Sequence, residues 1–402
     1  SSDIARGAPA PDVDGGRVDA APKCATAKGA PVPRGDSAAA LDASGKLTLL
    51  FGGDTGNAPC AGSPSHVHVG DTWVFDRSCS VWIPIEGGAN PSTRSRHVLV
   101  SDVAHNRAIL FGGRRREAAS GPYTALNDTW AFDFKAQAWT QLMTTGTPPS
   151  ARSNAAAAID TTGNRLVLFG GNASTDGLSF TPLDDTWSLD LDSLAWSAVK
   201  TAKKPPARLF HSLAIDSASQ TAYVASGGDA NAFTGPFLTD IWALDLRASA
   251  WTELMPTKAL ANGRINFGMS FDSVNKRLLA FGGHDDGAVG NTNEIWAFDI
   301  ATVAWSRLPF GDKLQTPSKQ TCVFAADFTK IDKASPERRS AFAFAPTADG
   351  AGFAVFFGKG DCGLIGDALG FDGALPGWTM LSASPVGLSC LRAQPNCTSL
   401  CN

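Results

Sequence analysis

The chain has 402 residues, with 34 Lys and Arg against 38 Asp and Glu, and a formal net charge of −4. A nucleic-acid face needs an excess of basic charge to hold phosphates, and a membrane-crossing helix needs about 20 consecutive apolar residues. The sequence offers neither, so no nucleic-acid partner and no transmembrane segment are expected. Eight cysteines without a CxxC pair, in a chain with 41 Gly and 24 Pro, point to an oxidising compartment and disulfides.

Residues 1–33 are rich in Pro, Ala, Gly and Asp and lack apolar periodicity, which predicts a flexible tail or linker. Ser1-Ser2-Asp3 followed by such a spacer resembles the start of a mature bacterial lipoprotein, with the lipid anchor lost together with a preceding Cys. An ordinary secreted mature N-terminus fits equally well. From Arg34 onward a unit of four short apolar runs recurs. Its second run ends in a glycine doublet, FGG at 51–53, 111–113, 169–171 and 281–283, SGG at 226–228, and a degenerate FGKG at 357–360. The intervals between first glycines are 60, 58, 57, 55 and 76 residues. The third run reads DTW, DTW, DTW, DIW, EIW and DAL, carrying Trp73, Trp130, Trp187, Trp242, Trp296 and Leu369. The fourth is marked nine residues later by Trp82, Trp139, Trp196, Trp251, Trp305 and Trp378.

Short runs rich in β-branched and aromatic residues, bounded by Gly, Asp, Asn and Pro, read as strands. A four-stranded unit cannot cover both its faces alone, whereas units stacked around an axis can. The reading is all-β: a six-bladed propeller with four antiparallel strands per blade. Blades are expected at 34–90, 91–149, 150–205, 206–260, 261–309 and 338–384, with an insertion at 310–337 and a Cys-rich tail at 385–402. The third-strand Trp is expected to fill the gap between blades, and the acid before it (Asp71, Asp128, Asp185, Asp240, Glu294, Asp367) to bind loop amides.

The glycine doublet, the [DE]-x-W marker and the phased second Trp, six times over residues 34–383, resemble the kelch-repeat β-propeller family. The resemblance implies that first strands line a central channel and that the loops after each doublet share one rim. It also implies a peptide-binding role. Copper-radical oxidases resemble kelch propellers too, but their two ligating tyrosines and Cys–Tyr crosslink have no counterpart around Tyr123 and Tyr223, so that activity is not carried over. GxSxG, HExxH and Walker motifs are absent from the sequence.

One Arg opens each blade: Arg34, Arg94, Arg152, Arg208, Arg264 and Arg339, at 18, 18, 18, 19, 18 and 19 residues before the first glycine of the doublet. Two readings stand. Each Arg is a structural ion pair repeated with the blade, or the six ring the mouth and bind a peptide, glycan or small anion, since the guanidinium fork suits carboxylates. A metal ion is the expected cofactor if there is one, with His66, His68 and His284 in the loops after the doublets as ligands, joined by Asp54 or Asp229. His97 and His211 lie on first strands, facing the channel or the core. A Cys60–Cys362 bond is expected to staple ring closure. The favoured function is a secreted, periplasmic or surface-anchored binding module. The alternatives are a metal-dependent extracytoplasmic enzyme and a structural surface protein.

Overall fold

The computed structural model describes residues 24, 28–56, 66–118, 121–176, 179–260, 262–285, 290–316, 325, 327–361 and 363–383. Six sheets, each with an antiparallel core of four strands from one repeat, form a six-bladed propeller. Blade 1 runs Ala38–Leu41, Leu47–Asp54, His68–Asp76 and Val81–Ile85; blade 6 runs Ala343–Pro346, Gly352–Lys359, Leu364–Asp372 and Gly377–Ser382. First strands face first strands around the axis, as Ala156–Asp160 of blade 3 lies between Val98–Asp102 and Ser212–Asp216. The interruption before blade 6 contains a small hairpin, Lys313–Leu314 with Thr329–Lys330.

The core consists of layers between blades. The fourth-strand Trp fills each gap and reaches back to the preceding blade. Trp139 packs edge-on to Phe51 at 5.1 Å, Trp196 against Phe111 at 5.1 Å, Trp251 against Phe169 at 5.3 Å and Trp378 against Phe281 at 4.9 Å. Its indole N–H donates to the Thr of the preceding DTW: Trp139 to Thr72 (2.9 Å), Trp196 to Thr129 (3.4 Å) and Trp251 to Thr186 (3.2 Å). Blades 4 and 5 carry Ile241 and Ile295 at that position, and the buried indole nitrogens of Trp305 and Trp378 have no acceptor among the described residues. The gap-filling role expected of the third-strand Trp thus falls mainly to the fourth-strand Trp.

Two backbone rings close the assembly. The residue two places after each blade Arg adopts a left-handed conformation: Asp36, Arg96, Asn154, Phe210, Asn266 and Ala341, with φ between 51° and 59°. Each of these six donates its N–H to the carbonyl of its counterpart in the preceding blade, at 2.7–3.3 Å, and the last link is Asp36 to Ala341. A second ring runs from the glycine after each doublet bulge to the next blade's Arg carbonyl: Gly53, Gly113, Gly171, Gly227, Gly283 and Gly358 donate to Arg94, Arg152, Arg208, Arg264, Arg339 and Arg34.

That ring corrects the alignment of blades 4 and 6. The left-handed residue of the doublet is Gly52, Gly112, Gly170 and Gly282 elsewhere, but Ser226 (φ 56°) and Phe357 (φ 61°) in those two blades. The true spacing from the blade Arg is therefore 18 in all six. An added Cβ at Gly52 would meet the Arg94 carbonyl oxygen at 2.6 Å, which explains the preference for glycine. Ser226 occupies the place by bonding: its Oγ donates toward the Leu238 and Arg264 carbonyls and accepts from the Arg264 N–H at 2.8 Å.

Outer edges are partly covered. Thr145–Gly146, in the connection from blade 2, pairs parallel with the outer strand of blade 3, making that sheet five-stranded and removing one open edge. A Cys24–Cys79 disulfide pins the N-terminal segment to the outer hairpin of blade 1. The expected Cys60–Cys362 bond and the 385–402 tail lie outside the described residues.

Candidate functional site at the propeller mouth

The six blade arginines are buried side chains, each at most 1% exposed. Burial of a guanidinium is costly without a partner charge and filled donors; the blade supplies both, except that the Arg264 Nε has no acceptor among the described residues. Arg152 donates to Asp185 at 2.5 and 2.8 Å, to the Gly170 carbonyl at 3.0 Å and to the Ser150 carbonyl at 3.0 Å. Arg34, Arg94, Arg208 and Arg339 repeat this fork with Asp71, Asp128, Asp240 and Asp367. In blade 5 the contact is looser: Arg264 lies 3.7 Å from Glu294, and Arg307 takes the other carboxylate oxygen at 3.0 Å. The same carboxylates accept the third-strand indole N–H, as Asp185 does from Trp187 at 2.7 Å. Burial alone would raise the Asp71, Asp128 and Asp185 carboxyls, but the Arg hydrogen bonds and charges hold them below the usual range. The acid before the third-strand Trp therefore binds the blade Arg, where loop amides had been expected, and the geometry is that of the structural ion pair.

Beside the two backbone rings lie positions on which the six repeats differ. Two registers define them: the left-handed residue two after the Arg, and the residue immediately after the doublet. These pairs are Asp36 and Asp54 in blade 1, Arg96 and Arg114 in blade 2, Asn154 and Asn172 in blade 3, Phe210 and Gly228 in blade 4, Asn266 and His284 in blade 5, and Ala341 and Lys359 in blade 6. The first register opens a central cavity of about 210 Å³ walled by first-strand residues, including His97 and His211.

The charges collect on blades 6, 1 and 2. Lys359 donates to Asp36 at 2.6 Å and lies 3.8 Å from Asp54, while Arg96 meets Asp36 at 3.2 Å. Burial would raise the Asp36 carboxyl, but Arg96 and Lys359 hold it well below the usual range. Burial would also raise the Asp54 carboxyl, but the His66 hydrogen bond and the Lys359 charge bring it down to about 2. Arg114 differs from the rest. Its side chain is buried, the residue being 6% exposed, and it stacks on Tyr123 at 3.7 Å, with no carboxylate within ion-pair distance among the described residues. Burial, then the nearby Arg96 charge, depress it to about 9.

His66, His68 and His284 have other partners among the described residues. His66 donates its Nδ1–H to Asp54 (2.6 Å), and His68 stacks on Tyr123 and meets the Ser95 hydroxyl at 3.2 Å. Burial lowers His68 to about 4. His284 lies in blade 5 beside Phe237. Among the described residues no three His, Cys, Asp or Glu are grouped to hold a metal ion, so the metal-ligand reading of His66, His68 and His284 gains no support. His97 and His211 are buried at the cavity wall and stack edge-on to Phe51 and Phe169, and burial drives both to about 3. Phe267 and Phe342 hold the equivalent place in blades 5 and 6.

The model of the KLHDC2/KLHL20/DRC7 Kelch-repeats domain matches residues 20–228 and 162–331. Kelch domain-containing protein 3 of Homo sapiens is 28% identical over 235 residues, covering 56% of this chain and 56% of its own length. Kelch domain-containing protein 10 of Homo sapiens is 26% identical over 264 residues, covering 62% of this chain and 57% of its own. The chain thus spans little more than half the length of these curated relatives. With the family model spanning most of the chain and six blades bearing its markers, this protein belongs to the kelch-repeat family.

Proposed function

We propose that the protein is an extracytoplasmic binding module whose mouth grips an acidic segment of a partner protein, with Arg114 and Arg96 as the anchors. The observation that carries this reading is the buried Arg114 guanidinium without a carboxylate. A buried cation left unpaired costs several kcal/mol, and an incoming carboxylate removes that cost through charge-assisted hydrogen bonds. The six blade arginines serve the site indirectly, by fixing the loops that carry the two registers. The Cys24–Cys79 bond supports an oxidising location.

The test is fluorescence anisotropy with a labelled octaglutamate peptide, at low and high salt. The native chain binds it in a salt-sensitive way, and Arg114→Gln and Arg96→Gln each weaken binding by about tenfold, the size of one lost charge-assisted contact. Equal binding by both variants removes the mouth as the site.

A further inference from the structure

The mouth is polarised. Opposite the charged blades, blade 4 offers an aromatic cluster that the anion site does not use. Phe210 sits in the backbone ring with φ 59°, a conformation uncommon for a bulky residue, so the surroundings must hold it there. Phe180 and Phe233, from the loops of blades 3 and 4, stand over it at 5.8 and 5.3 Å and touch each other at 5.4 Å. Leu209, Ala232, Phe237 and Ile265 support the cluster from beneath. Phe233 itself is 52% exposed. Its loop turns back at Gly228, where an added Cβ would meet the Ala232 backbone at 2.9 Å, and Thr234 donates to the Asn231 carbonyl to complete the turn.

Arg96 joins the two halves. Its guanidinium meets Asp36 on one side and lies 5.0 Å from the Phe210 ring and 6.0 Å from the Phe233 ring on the other. A carboxylate held at Arg96 and Arg114 therefore places its flanking residue against Phe233. We infer that the Phe180–Phe210–Phe233 cluster is a second subsite, which takes a bulky apolar side chain lying within one or two residues of the partner segment's acidic residue. This rests on the proposed acidic-segment reading and adds a specificity to it: acidity alone is not the recognition signal.

The test is selection of a random peptide library displayed on phage against the full immobilised chain, repeated with Phe233→Ser, Phe180→Ser and Arg114→Gln. Phe233 is half exposed on a loop, so its substitution is expected to leave the fold intact, and a thermal melt of each variant checks this. The native chain enriches peptides with an acidic residue next to Phe, Trp, Leu or Ile. Phe233→Ser and Phe180→Ser keep the acidic preference but lose the apolar one, and individual selected peptides bind them about tenfold more weakly, as expected when one apolar side chain is left in water. Acidic enrichment without an apolar neighbour, or an apolar preference unchanged in Phe233→Ser, overturns the subsite while leaving the anion site in place. No enrichment over uncoated wells, or the same pool selected by Arg114→Gln, overturns the anion site and the subsite together.

Discussion

Arg152→Ala separates a structural arginine ring from a ligand-binding one. The substitution leaves Asp185 without its fork, and removes the side-chain donor from the Gly170 and Ser150 carbonyls. Breaking a buried charge pair from one side costs about 3–5 kcal/mol. Asp185 is 36% exposed and keeps the Trp187 N–H, so water takes over part of the lost interaction and the expected loss is near the lower end, about 3 kcal/mol. Replacing both partners, Arg152→Leu with Asp185→Leu, recovers most of it, because no charge is then left buried and unpaired. Arg114→Gln is the contrast. It removes a stacking contact worth about 0.5–2 kcal/mol but also relieves a buried charge that has no ion-pair partner, so stability stays within about 1 kcal/mol of the native chain. Urea unfolding followed by tryptophan fluorescence measures all three, alongside octaglutamate binding. If Arg152→Ala is as stable as the native chain yet loses binding, the blade arginines are ligand contacts and the assignment of the ring to structure is wrong.

Three other outcomes are expected. His97 is neutral in the fold with its pKa driven to about 3 from an ordinary value near 6.5. A depressed histidine binds its proton only on unfolding, so stability is retained above pH 6.5 and lost as the pH falls below it. The loss reaches about 2 kcal/mol at pH 5, and His97→Phe, which copies blades 5 and 6, should abolish that share in unfolding curves at pH 7.5 and pH 5. Thr186→Val takes the acceptor from the buried Trp251 indole and should lower stability by about 1 kcal/mol, whereas Ile241→Thr gives the buried Trp305 indole the acceptor that blades 1–3 supply, offsetting the loss of a buried methyl group and leaving stability within about 0.5 kcal/mol; a loss in Ile241→Thr larger than that in Thr186→Val would mean that the indole gains nothing from the acceptor. Tryptic digestion without reductant should yield residues 24–28 linked to residues 78–94, released from each other by reduction, and any other partner for Cys79 would contradict the described disulfide.

The fold was legible because the constraints that build a blade recur in every blade. A left-handed glycine at the doublet and a large indole at the gap are demanded by geometry, so residue types repeat in phase. Legibility failed where geometry is constant but chemistry is not. Ser226 and Phe357 fill the left-handed place that glycine holds elsewhere, so an alignment by glycine slipped one residue in blades 4 and 6. The pairing of each blade Arg with the acid of its own third strand was signalled by two opposite charges, each occurring once per blade. Asp36, Arg96, Asn154, Phe210, Asn266 and Ala341 escaped notice for the opposite reason. They share a register and no chemistry, and a search for recurrence passes over the positions at which a repeat protein is free to differ. His66 and His68 drew attention as metal donors through their spacing alone, while Asp54 and Tyr123 occupy them in the fold.

The backbone cycle that ends in the Asp36–Ala341 bond has a temporal consequence. Five of its six links join blades that are neighbours along the chain, but the last spans some 305 residues, and such distant pairings form late. Asp36 takes its two cationic partners from the blades on either side of it, Arg96 from blade 2 and Lys359 from blade 6. The charged half of the mouth is therefore incomplete in a chain that has folded five blades, lacking Lys359 and the closing Asp36–Ala341 link.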